Sequence, residues 1–423
     1  MSHKPIQFPG DFLWGSAASA YQTEGGNYNN DWYRMEQADR ALPQSERRFS
    51  DPCGNAADHW NHYEADYDSA REMGIQVHRL STEWSRIVPE EGCIDENALA
   101  HYRKMLEALK DRGISVMLCL HHFTIPLWVE AKGGFLKRKV FMKHFSFYVE
   151  AVIQALGDLV DYWLPINEPN VVPLGGYLAG LFPPYNESWY KFIKVYRTFF
   201  SMQGRSYRLI KKYHKDAPVG VAFAYMHFQP WRKSSFFDRF TARLADRVAN
   251  GCFFDAVRTG RVGFPLGAGL PFPELKGAMD FVGINYYSTN YMKGMEALPA
   301  REGDQVTDMG WILYPRGLYD VLKMVGTATD LPVIVTENGV AATDEAFRIR
   351  YLQEHLIQVH RAMEEGINIK GYMVWSLTDN YEWDKGYAMR FGLVHVDFES
   401  QERCIKAGGR WYGELIRSGV MER

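Results

Sequence analysis

The sequence predicts an α/β fold, a single (β/α)8 TIM barrel whose functional residues gather at the C-terminal ends of the strands. Three observations point there. Eight short apolar segments recur along the chain, stretches with helical apolar spacing separate several of them, and two of the eight end on a glutamate with an asparagine beside it. Alternating strands and helices favour a parallel sheet, and eight repeats suffice to close it into a barrel.

The candidate strands are 12–19, 77–82, 115–121, 162–168, 219–225, 281–287, 332–338 and 370–377. In the seventh, Val333, Ile334 and Val335 are β-branched, as expected of a buried strand. Between strands, Leu99, Tyr102, Leu106 and Leu109 recur at helical spacing before Gly113, a stop signal. Ile349, Leu352, Leu356, Val359 and Met363 do the same before Gly366. Pro165 falls inside the fourth candidate strand, where a closed barrel has no free edge, so a bulge or an early strand end is expected there. No Pro-, Gly- or Ser-rich linker divides the chain, and one domain over residues 1–423 is expected.

Glu168, in Ile166-Asn167-Glu168-Pro169, closes the fourth candidate strand. Glu337, in Val335-Thr336-Glu337-Asn338-Gly339, lies at the end of the seventh. A barrel would bring these distant residues to one mouth. Paired carboxyls can break a glycosidic bond, one acting as acid and base and the other as nucleophile. The plainer alternative is that each glutamate begins a loop and is solvated.

The chain resembles glycoside hydrolase family 1, the retaining β-glycosidases, nearly end to end. The resemblance is carried by Phe12-Leu13-Trp14-Gly15, Tyr21-Gln22-Thr23-Glu24-Gly25, Trp84-Ser85-Arg86-Ile87 and Asn167-Glu168-Pro169. It continues through Gly283-Ile284-Asn285-Tyr286-Tyr287, Thr336-Glu337-Asn338-Gly339, the segment from Trp375 to Trp383, and Arg390-Phe391-Gly392. The match implies the barrel fold, Glu168 as acid/base and Glu337 as nucleophile. It aligns Arg79 with the arginine that keeps the nucleophile charged and Tyr287 with the tyrosine that bonds it. Asn167 aligns with the side chain that holds the sugar 2-hydroxyl. Gln22, His122, Trp375, Glu382 and Trp383 align with the glycone pocket, and Trp311 with a ring at the entrance. A cis peptide between Trp375 and Ser376 is also implied. Glu24 and Glu83 are expected to serve structure, Glu83 as an ion-pair partner, and Asp379 to organise its loop. His121 and His122 are neighbours and should point to opposite sides.

Departures from the family pattern cluster around the entrance: Phe123 and Phe135 stand in place of tryptophans, Gln203 in place of a histidine, and the stretch 288–310 is short. They bear on the leaving group more than on the reaction. A 6-phospho-β-glycosidase is disfavoured, since that branch carries Ser, Lys and Tyr where this chain has Glu382, Met389 and Phe391. A sugar-binding relative or a thioglucosidase is disfavoured because both glutamates are present.

Aromatic residues make up 15% of the chain, including 12 Trp and 25 Tyr, which suits stacking on sugar faces as well as an ordinary large core. A net charge of −3 argues against a nucleic-acid partner. Five cysteines without a CxxC pair, and a start at Met1-Ser2-His3-Lys4-Pro5 that leads into no signal-like apolar core, predict a reduced, cytoplasmic protein. No run is long enough to span a bilayer. No phosphate-cradling loop, HExxH or Cys/His cluster calls for a metal or cofactor. The expected partners are small β-glycosides and short oligosaccharides; self-assembly into a homo-oligomer is left open.

Overall fold

A computed structural model describes residues 5–422. The reading of the first four residues as part of a leaderless start lies outside them. All eight expected strands form. They are β1 (Leu13–Ala17), β2 (Val77–Ser81), β3 (Ser115–Cys119), β4 (Tyr162–Leu164), β5 (Ala222–Ala224), β6 (Val282–Asn285), β7 (Val333–Asn338) and β8 (Ile369–Trp375). They lie side by side in the order β4, β3, β2, β1, β8, β7, β6, β5, all pairs parallel. Isolated parallel bridges Trp163–Val219 and Asn167–Ala222 then join the two outer strands and complete the ring.

A helix follows each strand: α1 (His59–Glu72), α2 (Glu96–Asp111), α3 (Arg138–Leu156), α4 (Trp189–Tyr213), α5 (Phe236–Asp246), α6 (Pro315–Ala328), α7 (Glu345–Glu364) and α8 (Ala407–Ser418). The local chemistry explains their limits. Asp95 caps α2 by accepting from the amides of Asn97 and Ala98, and Asp344 caps α7 through Ala346. Leu99, Tyr102, Leu106 and Leu109 are all buried, as their spacing predicts. Gly113, just past α2, has φ +71°, a conformation glycine adopts without steric cost.

Inward side chains from different strands fill the barrel: Val77, Met117, Cys119, Leu164, Ala222, Ile334 and Met373 form one cluster. Side chains on the other face meet the helices. At Gly283 a Cβ would sit 2.5 Å from the Val221 carbonyl and 2.7 Å from Thr336, so β6 can lie in this place only with glycine.

Pro165 ends β4 early. Having no amide hydrogen, it cannot continue the ladder, and pairing resumes only at the single bridge through Asn167. Glu168 then turns with φ +50°, its amide bonded to the Ala222 carbonyl at 2.7 Å. On β7 the register slips on both flanks, between Ile284 and Asn285 on β6 and between Val335 and Asn338 against β8. Such irregularities re-aim side chains, and they fall on the two flanks of Glu337, which itself pairs with Asn285. Beyond the mouth, His227–Pro230, Thr289–Lys293 and Glu296–Leu298 build a small three-stranded sheet. Among the described residues no helix is long and apolar enough to cross a membrane.

Candidate active site

Glu168 and Glu337 both lie at the C-terminal mouth, buried, and linked through a chain of side-chain hydrogen bonds. Arg79 on β2 is fully buried and reaches Glu337 with one guanidinium nitrogen. Its other nitrogen donates to Asn167 Oδ1 at 2.5 Å. Asn285, at the end of β6, donates from its single amide nitrogen to Asn167 Oδ1 at 3.1 Å and to Glu168 Oε1 at 2.9 Å. Thr336 fixes that amide by donating to Asn285 Oδ1 at 2.7 Å. Three strands and the turn after β4 therefore contribute to one network. Asn285 and Thr336 were not singled out from the sequence, although both stand inside quoted motifs. The remaining signal was only that a polar residue ends each apolar strand.

The two carboxyls have different surroundings. Glu337 is met by a guanidinium and by the Tyr287 hydroxyl, which donates to Oε2 at 2.5 Å. Glu168 has one neutral donor, Asn285. Burial, and next the charge of Glu337, push the Glu168 carboxyl up to about 8, against the opposing pull of Asn285 and Arg79. Burial and the Glu337 charge also raise Tyr287 well above its usual range, so it stays a phenol and a donor.

The expected pocket residues assemble on one side of this pair. Gln22 Nε2 donates to Glu382 Oε2 at 3.2 Å. Burial, reinforced by Glu337, pushes Glu382 up to about 8 as well. His122 lies roughly parallel to Trp375 and Trp383, with centroids 6.1 Å away in each case, and its Nε2 meets Asn167 Nδ2 at 3.1 Å. Trp311 packs near Tyr287, with ring centroids 5.3 Å apart, and Met389 and Phe391 share the cluster around Trp375. The Trp375–Ser376 peptide is cis, as the resemblance implied.

Neighbouring residues separate by side, as strand geometry requires. His121 turns away from His122 into an aromatic shell of Phe135, Phe145 and Phe199. Asn338 turns away from Glu337 and donates to the Tyr286 carbonyl at 2.6 Å. Asp379 holds its loop through Lys406 at 2.7 Å and the Gly392 amide at 2.9 Å. Glu24 is tied to Arg86 and Tyr102. Glu83 needs a correction: it is structural but not ion-paired. Its carboxylate takes hydrogen bonds from the Ser85 and Thr124 hydroxyls, because Arg86 is engaged by Glu24.

Comparison with known proteins gives the family. The family model described as glycosyl hydrolase family 1 matches residues 4–420. The β-glucosidase A of Acetivibrio thermocellus is 35% identical, over 98% of this chain and 99% of its own. A 6-phospho-β-galactosidase of Staphylococcus epidermidis is 30% identical, over 97% of this chain and 98% of its own. Among solved structures, a β-glycosidase from Pyrococcus horikoshii superposes with a TM-score of 0.90 at 35% identity, covering 99% of this chain and 97% of that one. The chain belongs to glycosyl hydrolase family 1 and is a glycoside hydrolase.

Proposed function

We propose that the chain is a retaining, exo-acting β-glycosidase, one catalytic domain that removes terminal non-reducing β-D-glucosyl, galactosyl or fucosyl residues through a covalent glycosyl-enzyme intermediate. The observation that carries this reading is the unequal pair at the barrel mouth: Glu337 between a guanidinium and a phenol, Glu168 with its proton affinity raised. In the first step a Glu337 oxygen bonds to the anomeric carbon while the bond to the leaving oxygen breaks, and Glu168 delivers its proton to that oxygen. Esterification removes the Glu337 charge that had favoured the protonated Glu168. Glu168 then accepts a proton from water as that water attacks the anomeric carbon and frees Glu337. In this reading Asn167 holds the sugar 2-hydroxyl, and Gln22, His122, Glu382 and Trp383 hold the rest of the ring, with Trp375 beneath it. A cytoplasmic location, argued from the unpaired cysteines, belongs to the same proposal.

Glu382 also bears on the phosphosugar alternative. A carboxyl pushed to about 8 is largely neutral at pH 7, so it repels a phosphate less than a full charge would. Discrimination then rests more on Met389, an uncharged side chain in the cluster around Trp375. The test is kcat/KM on a panel of nitrophenyl β-glycosides with their 6-phosphates, together with NMR of the first sugar released. We expect turnover of the plain glucoside and galactoside with the β-anomer appearing first. Release of the α-anomer first, or faster turnover of the 6-phosphates, overturns the reading.

A further inference from the structure

Seven large apolar side chains are more than half exposed among the described residues, and six of them share one face: Leu181, Phe236, Phe237, Phe240, Phe264 and Met295. Three segments bring them together. Leu181 belongs to the segment after β4, the three phenylalanines of α5 and Phe264 to the stretch after β5, and Met295 to the turn of the small sheet after β6. The same three segments wall an apolar cavity of about 520 Å³, with Leu181, Phe264 and Met295 around it and Leu244 and Ala245 of α5 on one side. The face therefore lies on the mouth side of the barrel. It shares no side chain with the network around the two glutamates.

Packing within the chain does not account for these residues. The helix α5 is held to the barrel by its other side, where Asp238, Thr241 and Ala242 are buried. Ser235 caps it by accepting from the Asp238 amide at 3.2 Å. Asp238 also accepts from the Gly294 amide at 3.1 Å, which ties the Met295 turn to the helix. Phe236 and Phe240, four residues apart and so on one side, are left 75% and 52% exposed. Contiguous apolar surface left open in this way marks a binding face.

The charges select the partner. Arg232 is engaged by Asp238, at 2.8 and 3.0 Å. Lys233, Arg239 and Arg243 are exposed and have no carboxylate partner among the described residues. Lys293 is exposed beside the Met295 turn, with Glu296 as the acid near it. A second copy of the chain suits such a face poorly, because symmetric pairing sets a net positive surface against itself. A nucleic acid would need hydrogen-bonding side chains aimed at its bases, and phenylalanine and methionine offer none. A lipid surface meets both requirements: the aromatic and methionine side chains enter the acyl boundary while arginine and lysine reach the phosphates.

We propose that this face docks the protein on an anionic lipid bilayer, with α5 lying along the headgroups and the barrel mouth turned toward the membrane. The helix rests on the bilayer and does not cross it. The test is co-sedimentation with vesicles of phosphatidylcholine alone and of phosphatidylcholine mixed with phosphatidylglycerol, a readout that needs no turnover. The protein should bind the anionic vesicles at least about 10-fold more tightly than the neutral ones, since each cation near the surface adds to the attraction. Raising the salt to about 1 M should remove that preference by screening. Phe236→Ser combined with Phe240→Ser should weaken binding to both vesicles by at least about 10-fold, because two apolar side chains no longer leave water. Arg239→Glu combined with Arg243→Glu should abolish the preference for the anionic vesicles. All four side chains are exposed, so neither double variant should move Tm. Phe147→Ser, at an exposed phenylalanine of α3, should bind like the unaltered protein. Absence of binding by the unaltered protein overturns the proposal, and so does binding that survives both double variants or falls equally in Phe147→Ser. A dimer in sedimentation velocity that Phe236→Ser with Phe240→Ser breaks, with no vesicle bound, also overturns it and gives the face to a second copy.

Discussion

The end of β7 and the turn after β4 put the same functional group into the same mouth and surround it differently. Glu337 stands on a strand, with Arg79 and Tyr287 both donating to it. Glu168 stands just past a broken strand, in a left-handed turn, with Asn285 as its one side-chain donor. The first environment solvates a negative charge; the second favours a proton. The difference teaches that acid and nucleophile are assigned by their donors and by burial, since the side chains are identical.

The strongest way to break this comparison is to delete each carboxyl in turn. Glu337→Gly should lower kcat by roughly 10⁵-fold, the scale on which covalent nucleophiles are lost elsewhere. Azide should restore part of the activity from the vacated space and give the α-glycosyl azide. Glu168→Ala should cost about 10²- to 10⁴-fold on poor leaving groups, which need the proton, and far less on activated aryl glycosides. There the ester should accumulate, and azide should release it as the β-glycosyl azide. Proton NMR of the azide products reads both. The β product from Glu337→Gly with the α product from Glu168→Ala would exchange the two assignments.

A milder change sharpens the Glu337 side alone. Tyr287→Phe removes one of its two side-chain donors and leaves Arg79 in place. A hydrogen bond to a charged group contributes about 1.5–3 kcal/mol, so kcat/KM should change by roughly 10- to 100-fold. The loss should be nearly the same for good and poor leaving groups. A loss confined to poor leaving groups would mean that Tyr287 acts through Glu168 instead.

The comparison also marks what the sequence can express. The strands were legible because buried parallel strands read as β-branched and apolar runs, which Val333, Ile334 and Val335 display. Arg79, Tyr287 and the two glutamates were legible as motif positions. Pro165 predicted the broken strand, since a missing amide hydrogen is a local property. Asn285 was not legible as a link, because its partners lie 117 and 118 positions away and only barrel closure brings them near. The same reason hides the apolar cavity, whose wall is assembled from three separate segments with no shared period. Glu83 shows a third kind of gap: a buried carboxylate suggested an ion pair, but the nearby Arg86 is held by Glu24, and that competition is not written in the local sequence.

The smallest expected effect tests the link between the two regions. Glu168 must carry its proton to act as acid, so kcat/KM in the free enzyme should fall as pH rises through the raised Glu168 value, near 8. Asn285 donates to Glu168 and so favours its ionised form, pulling that value down. Asn285→Ala removes the pull, and the basic limb of the kcat/KM profile should move upward by several tenths of a pH unit. Overall activity should fall too, because Asn167 loses a partner in the same change. A merely structural role for Asn285 would lower the whole profile and leave the limb where it was. Glu168→Gln should erase the limb in both backgrounds, since no other group would then titrate as the acid. If the limb survives Glu168→Gln, the titrating group is elsewhere, and Glu382, which burial also pushes to about 8, is the residue to replace next.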